Sequence, residues 1–127
     1  MLFDTNFLIA LQRERRREPG AAHAFLAEHA AEPVRISVTV AGEYGEGFES
    51  FDEPACIELL RLFEVLDLTQ ETSRRYATIT RELRSKGQLI GTNDLWIAAS
   101  ALEHGETLVT RNLDEFRRVP GLNVVAF

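Results

Sequence analysis

A chain of 127 residues has the length of one domain, and its lone cysteine, Cys56, leaves neither an intrachain disulfide nor a cysteine-based zinc site. With 45% hydrophobic and 27% charged residues it has the composition of a soluble globular protein that buries a core without staples. A net charge of -6 weighs against indiscriminate nucleic-acid binding, although an acidic site neutralised by bound metal would account for part of that total.

Leu2 and Phe3 read as a short strand ending on Asp4. A helix is expected over residues 7–17, apolar first and basic later, broken at Pro19-Gly20. Its apolar run at 7–11 is too short to span a bilayer. The run also lies between an aspartate and a basic cluster, the reverse of a signal peptide. The cytoplasm is therefore the default compartment, with Cys56 a small core residue. A second helix is predicted over 21–31, with Ala22, Phe25, Leu26 and His29 on one face, and a second strand over 34–38. Residues 39–48 read as a helix despite three glycines, with Glu43 inside it.

Ser50-Phe51-Asp52-Glu53 has the pattern of a capping box ahead of a helix opened by Pro54. A strand is expected over 65–68. Thr69 can cap a long amphipathic helix that carries Tyr76, Ile79 and Leu83 and stops at Gly87. Thr92 can cap a helix over 93–104 that is apolar nearly all round, hence buried, and stops at Gly105. Strands at 108–109 and 124–127 enclose a short helix at 113–118. Alternating strands and helices predict a three-layer α/β sandwich around a mostly parallel sheet, 1–127 forming one domain.

Ligands of such sheets bind beyond the carboxyl ends of the strands. Asp4 follows the first strand, Glu43 the second, Asp94 opens the buried helix, and Asn112, Asp114 and Glu115 follow the strand at 108–109. Converging carboxylates repel unless a cation neutralises them, and oxygen donors without His or Cys select Mg²⁺ or Mn²⁺. Such a site can activate water against a phosphodiester without a side-chain nucleophile. No Ser-His-Asp or Cys-His arrangement competes. Each acid also has a structural reading. Asp4 can cap its helix, Glu43 can be a solvated helix residue, and Asp94 can favour a helix dipole. Asn112 and Glu115 together can make a capping box.

The order of these residues resembles a known family. Leu2-Phe3-Asp4-Thr5-Asn6 is similar to the opening motif of PIN domains, and Ser37-Val38-Thr39-Val40-Ala41-Gly42-Glu43 to their second. Gly91-Thr92-Asn93-Asp94-Leu95-Trp96-Ile97-Ala98-Ala99 resembles the third. Leu108-Val109-Thr110-Arg111-Asn112-Leu113-Asp114-Glu115-Phe116 resembles the fourth. The motifs span residues 2 to 122, and the size matches PIN-domain ribonucleases of the VapC toxin type. The resemblance implies a metal-dependent endoribonuclease using Mg²⁺ or Mn²⁺, with RNA as substrate, restrained by a small antitoxin and homodimeric. By matching positions, Asp4, Glu43, Asp94 and Glu115 are the catalytic acids, with Asp4 and Asp94 on the metal. Thr5, Asn6 and Asn112 support them. Asn112 stands where many PIN domains carry aspartate, which leaves the fourth ligand open among Glu115, Asn112 and Asp114.

Arg111 lies beside the proposed site, where it can contact RNA phosphate or pair with a carboxylate. The run Arg13-Glu14-Arg15-Arg16-Arg17 reads as a solvated helix end, or as a phosphate-contacting rim. His23, His29 and His104 lack ligand spacing and read as structural, and Trp96 reads as core. Three competing functions remain: a receiver-like phosphoacceptor domain, a PIN-like binding module without activity, and a PIN nuclease of RNA processing. The first is disfavoured because Asp4 has no paired acid and no lysine follows Lys86.

Overall fold

The computed structural model describes residues Met1 to Phe127. Five strands, β1 (Leu2–Phe3), β2 (Arg35–Ser37), β3 (Glu64–Leu66), β4 (Leu108–Val109) and β5 (Val124–Val125), form one parallel sheet in the order β3-β2-β1-β4-β5. Seven helices flank it: α1 (Thr5–Arg16), α2 (Ala21–Glu28), α3 (Val38–Gly45), α4 (Pro54–Leu60), α5 (Gln70–Ser85), α6 (Thr92–His104) and α7 (Leu113–Phe116). The expected α/β sandwich is thus present, and its sheet is wholly parallel. Leu2, Phe3, Ile36, Leu108 and Val109 have no exposed surface, as befits strands covered on both faces. Phe3 sits in a cluster with Phe7, Phe25 and Phe63, at centroid distances of 4.4, 5.9 and 5.7 Å.

Strand order decides where a site can form. The chain lays β2 and β3 on one side of β1 and β4 and β5 on the other. The crevice beyond the carboxyl ends of β1 and β4 is therefore the switch point of the sheet. A receiver-like domain would have the order 2-1-3-4-5, which this sheet does not.

Several boundaries move for identifiable reasons. Helix α1 starts at Thr5, two residues earlier than expected, because Asp4 is its N-cap. Helix α2 ends at Glu28, where His29 folds its ring onto the Phe25 carbonyl. Helix α3 starts at Val38 behind the Ser37 hydroxyl, which accepts from the Val40 amide. It stops at Gly45, where the Phe51 ring leaves no room for a Cβ. The expected capping box at Ser50 does not form. Its hydroxyl accepts from Asp52 N in a turn at 3.1 Å, and Glu53 is the N-cap of α4 without a side-chain bond. Pro54 at the start of α4 removes one donor that would need a partner. Strand β3 starts one residue early, at Glu64, and β5 ends at Val125. Thr92 is the first residue of α6, and the cap is Gly91, without a side-chain bond.

Thr69 does cap α5, in a reciprocal box with Thr72, and Glu103 of α6 accepts from both hydroxyls. This ties α5 to α6, where the half-buried Trp96 stacks on Tyr76 at 4.0 Å. His104 bonds the Ser100 carbonyl, so each histidine has a structural partner. Cys56 is buried. No helix is long and apolar enough to cross a membrane.

Glu14 does not belong with the arginines around it. Its carboxylate turns inward and accepts from the Ala22 and His23 amides, each at 2.9 Å, and meets the His23 ring at 2.6 Å. It thereby caps α2, whose own N-cap, Gly20, has no side chain. Burial works to raise its pKa, but the His23 ring and the amides of α2 outweigh it and hold the carboxyl at about 2. A depressed pKa stabilises the fold above pH 4.5, and that contribution is lost as pH falls towards 2. Glu14→Ala is expected to cost about 1–2 kcal/mol at pH 7, by urea denaturation. The gap between the variant and the parent protein should narrow below pH 4. An unchanged gap at pH 3 would mean that the carboxylate charge is not what caps α2.

Candidate active site

Asp4 leaves β1 at the switch point and is 5% exposed. One of its oxygens, Oδ1, accepts from Thr5 N at 2.7 Å. The other, Oδ2, accepts from the Thr110 hydroxyl at 2.7 Å and from Asn6 Nδ2 at 3.2 Å. Thr110 is the first residue past β4, so this bond joins the ends of two neighbouring strands. The Thr110 hydroxyl in turn accepts from the Asn112 amide at 3.0 Å, which fixes the turn into α7. Asn6 also reaches this turn, accepting from Arg111 N through Oδ1 at 3.4 Å.

Glu43, on α3, is held from two sides. Thr5 Oγ1 donates to its Oε1 at 2.8 Å, and Asn93 Nδ2 donates to its Oε2 at 3.3 Å. Asp94 sits in the first turn of α6 and Glu115 in the first turn of α7, both partly buried. Neither carboxylate has a hydrogen-bond donor within the protein, in contrast to Asp4 and Glu43.

The four acids feel one another. Asp94 is pushed up to about 6, by burial first and then by the charges of Asp4, Glu115 and Glu43. Burial also raises Asp4, against the bonds from Thr110 and Thr5, and Glu43 adds to the rise. No lysine, arginine or histidine pairs with any of the four. An uncompensated cluster of oxygen donors fits a hard divalent cation. As the side chains lie, no three acidic, histidine or cysteine groups come within shared ligating reach.

The structure thus brings together Asp4, Glu43, Asp94 and Glu115, with Thr5 and Asn6 bonded to the first two. Asn112 is the N-cap of α7 by position, yet its side chain makes no capping bond and Glu115 does not fold back to it. Asp114 points outward, exposed. The Arg111 guanidinium lies over the Phe127 ring at 4.5 Å and pairs with no carboxylate, so of the two roles considered for it, the ion pair is not made. Sequence reasoning overlooked Thr110 and Asn93 as site residues. Thr110 was legible as the first polar residue past a buried strand, and Asn93 by its place beside Asp94.

A family model described as the PIN domain matches residues 1–122. This chain belongs to the PIN-domain family. Among curated PIN-domain relatives, ribonuclease VapC2 of Haemophilus influenzae is 35% identical over 95% of this chain and 92% of its own length. Ribonuclease VapC2 of Rickettsia felis is 41% identical over 63 residues, which are 50% of this chain and 47% of that one. Among solved PIN-domain structures, VapBC2 of Rickettsia felis, bound to a DNA fragment from its promoter, superposes with a TM-score of 0.84 at 27% identity, covering 99% of this chain and 97% of that one.

The raised pKa of Asp94 gives a test of the site. A carboxyl whose folded value exceeds its unfolded 3.8 destabilises the fold increasingly as pH rises from 3.8, and the penalty is complete above about 6. In EDTA at pH 7.5, Asp94→Asn is expected to stabilise this PIN domain by about 1–2 kcal/mol, discounted for partial exposure. At pH 4 the difference should vanish. A destabilised variant at pH 7.5 would show that Asp94 has a partner holding its charge.

Proposed function

We propose that this PIN-domain protein is an endoribonuclease dependent on a divalent metal, Mg²⁺ or Mn²⁺, and the toxin of a toxin–antitoxin pair. The observation that carries the reading is a set of four carboxylates, two with raised pKa and none with a cationic partner, at the switch point of a PIN fold. Relatives named as VapC ribonucleases support the substrate class, and VapBC complexes among the structural neighbours support a protein partner. The readings as a binding module or as an RNA-processing nuclease have no observation in their favour.

Asp4 and Asp94 would hold the cation. Its chemistry there is neutralisation of the acids and Lewis-acid stabilisation of a phosphodiester under in-line attack by water. Asp4 is fixed for this by Thr110, Thr5 and Asn6, so its position does not depend on the ion. Glu43, oriented by Thr5 and Asn93, would accept a proton from the attacking water. Glu115 supplies the fourth acid through a water, and Asn112 shapes the loop through its amide. Exposed Arg111 offers its guanidinium edge to an RNA phosphate.

The chain acts in this reading as one nuclease unit in the cytoplasm, where a free buried thiol such as Cys56 stays reduced. It pairs with a second copy through the span of residues 50 to 86, where the exposed large apolar side chains, Phe51, Leu62, Val65 and Leu68, lie beside the amphipathic helices expected to carry the contact and not on them.

Pure protein with Mg²⁺ or Mn²⁺ is expected to cut single-stranded RNA and leave 5′-phosphate and 3′-hydroxyl ends. Cyclic-phosphate products, or full activity in excess EDTA, would overturn the mechanism. Asp94→Asn should lower the rate at least ~100-fold. Glu115→Gln should raise the Mg²⁺ concentration for half-maximal cleavage, and Asp114→Asn should leave it unchanged.

The toxin reading is tested separately by expression in the host. Growth should arrest with this protein alone and resume when its small partner protein is co-expressed. Growth equal to that of an Asp4→Ala variant at equal protein level counts against it.

A further inference from the structure

Helix α3 places Glu43 in the acid site but does not by itself aim its carboxylate. The helix has eight residues, and two of them are glycines, Gly42 and Gly45, which weaken a helix. A glutamate arm also has several rotatable bonds, each with staggered alternatives. The direction of the carboxylate is therefore set from outside α3.

Two donors set it, one on each oxygen. Thr5 of α1 donates through Oγ1 to Oε1 at 2.8 Å, and Asn93 in the first turn of α6 donates through Nδ2 to Oε2 at 3.3 Å. A bond to one oxygen is a pivot about which the carboxylate can still turn. A donor on the second oxygen fixes its plane. The Asn93 side chain is exposed and makes no other hydrogen bond within the protein. An exposed bond of this kind adds little to stability, because water replaces it readily. The amide also bypasses Asp94, the residue next to it, and reaches across to another helix. Being neutral, it orients the carboxylate without holding its charge as a lysine or arginine would. An ionised carboxylate has about four acceptor positions, so with two donors bound each oxygen keeps a free lone pair.

We propose that Asn93 is a positioning residue for Glu43: with Thr5, it fixes the plane of the carboxylate that accepts the proton of the attacking water. The proposal rests on the nuclease reading and adds to it a residue that acts through Glu43 alone. A general base works only within hydrogen-bond reach and alignment of the proton it takes. Asn93 therefore serves the chemical step and contributes to neither RNA binding nor cation binding.

The test compares Asn93→Ala with Glu43→Ala and with the double variant. Alanine is the better helix former, so Asn93→Ala is expected to leave the melting temperature of the protein in place. On a short single-stranded RNA with Mg²⁺, kcat should fall about 10-fold in Asn93→Ala and at least ~100-fold in Glu43→Ala. KM and the Mg²⁺ concentration for half-maximal cleavage should each stay within ~2-fold in Asn93→Ala. In the Glu43→Ala background the second substitution should change kcat by less than ~2-fold, because the group it positions is gone. In EDTA, the side-chain amide signal of Asn93 in a proton–nitrogen NMR spectrum should shift in Glu43→Ala and stay in place in Asp114→Asn.

A raised Mg²⁺ requirement in Asn93→Ala would mean that the residue serves Asp94, a raised KM that it touches RNA, and either overturns the proposal. So does a loss that multiplies with that of Glu43→Ala. An Asn93 signal that ignores Glu43→Ala removes the bond on which the role depends. All of these outcomes leave the nuclease reading intact while the parent protein cuts RNA. A parent protein that cuts no RNA overturns that reading and the positioning role with it.

Discussion

Asp4 is a carboxylate nearly withdrawn from water, with three other acids around it and no cation of the protein's own. Burying a charge in this way is costly unless it is hydrogen-bonded, and the surroundings of Asp4 meet that demand with three donors. The donors come from the residue after it, from the first turn of α1 and from the end of β4. The arrangement exists because β1 and β4 are neighbours in register, Leu2 with Leu108 and Phe3 with Val109. The next residue on each strand, Asp4 and Thr110, then meet. Shifting either strand by one residue would replace the Thr110 hydroxyl with a side chain that belongs on the other face.

Hydrogen bonds also divide the four acids into two kinds. Asp4 and Glu43 are pinned by donors, whereas Asp94 and Glu115 have none. Pinned carboxylates keep the site pre-organised, at the price of a raised proton affinity among neighbours. Unpinned ones retain the lone pairs and the rotational freedom that coordination or water contact needs. The split between Asp4 and Asp94 is one of supply as well as position. Asp4 is reached by strand-end hydroxyl and amide groups, and Asp94 projects from a helix start capped only by Gly91, where no side chain donates to it.

The sheet and the acids were legible in the sequence because both follow from short-range patterns. Apolar pairs such as Leu2-Phe3 and Leu108-Val109 each stop on a polar residue, and parallel sheets put those stops at one edge. What pattern reading missed are choices made by tertiary contact. The Ser50 box looked complete over four residues, but Phe51 packs onto Gly45 and holds the segment as a turn, leaving Pro54 to open the helix. Thr69 and Thr92 have equal claims as caps by type. Only Thr69 has Thr72 and Glu103 to complete it. Thr110 escaped notice as a site residue because a threonine after a strand carries no charge. Its importance lies in a partner 106 residues away.

Glu14 shows how composition can mislead in the same region. Counted with its neighbours it belongs to a mixed charged run that a helix end would expose to solvent. Its carboxylate is committed to α2 instead, because the Pro19-Gly20 turn brings an uncapped helix start alongside it. Removing that one acid from the surface leaves the arginines around it uncompensated. A structural need of α2 therefore sharpens the electrostatic contrast along α1, cationic at its carboxyl end and acidic where it leaves Asp4. The helix macrodipole favours the same polarity, positive side chains near the carboxyl terminus and a carboxylate at the amino terminus. A single helix thus carries opposite charges at its two ends, and the fold holds them at a fixed distance.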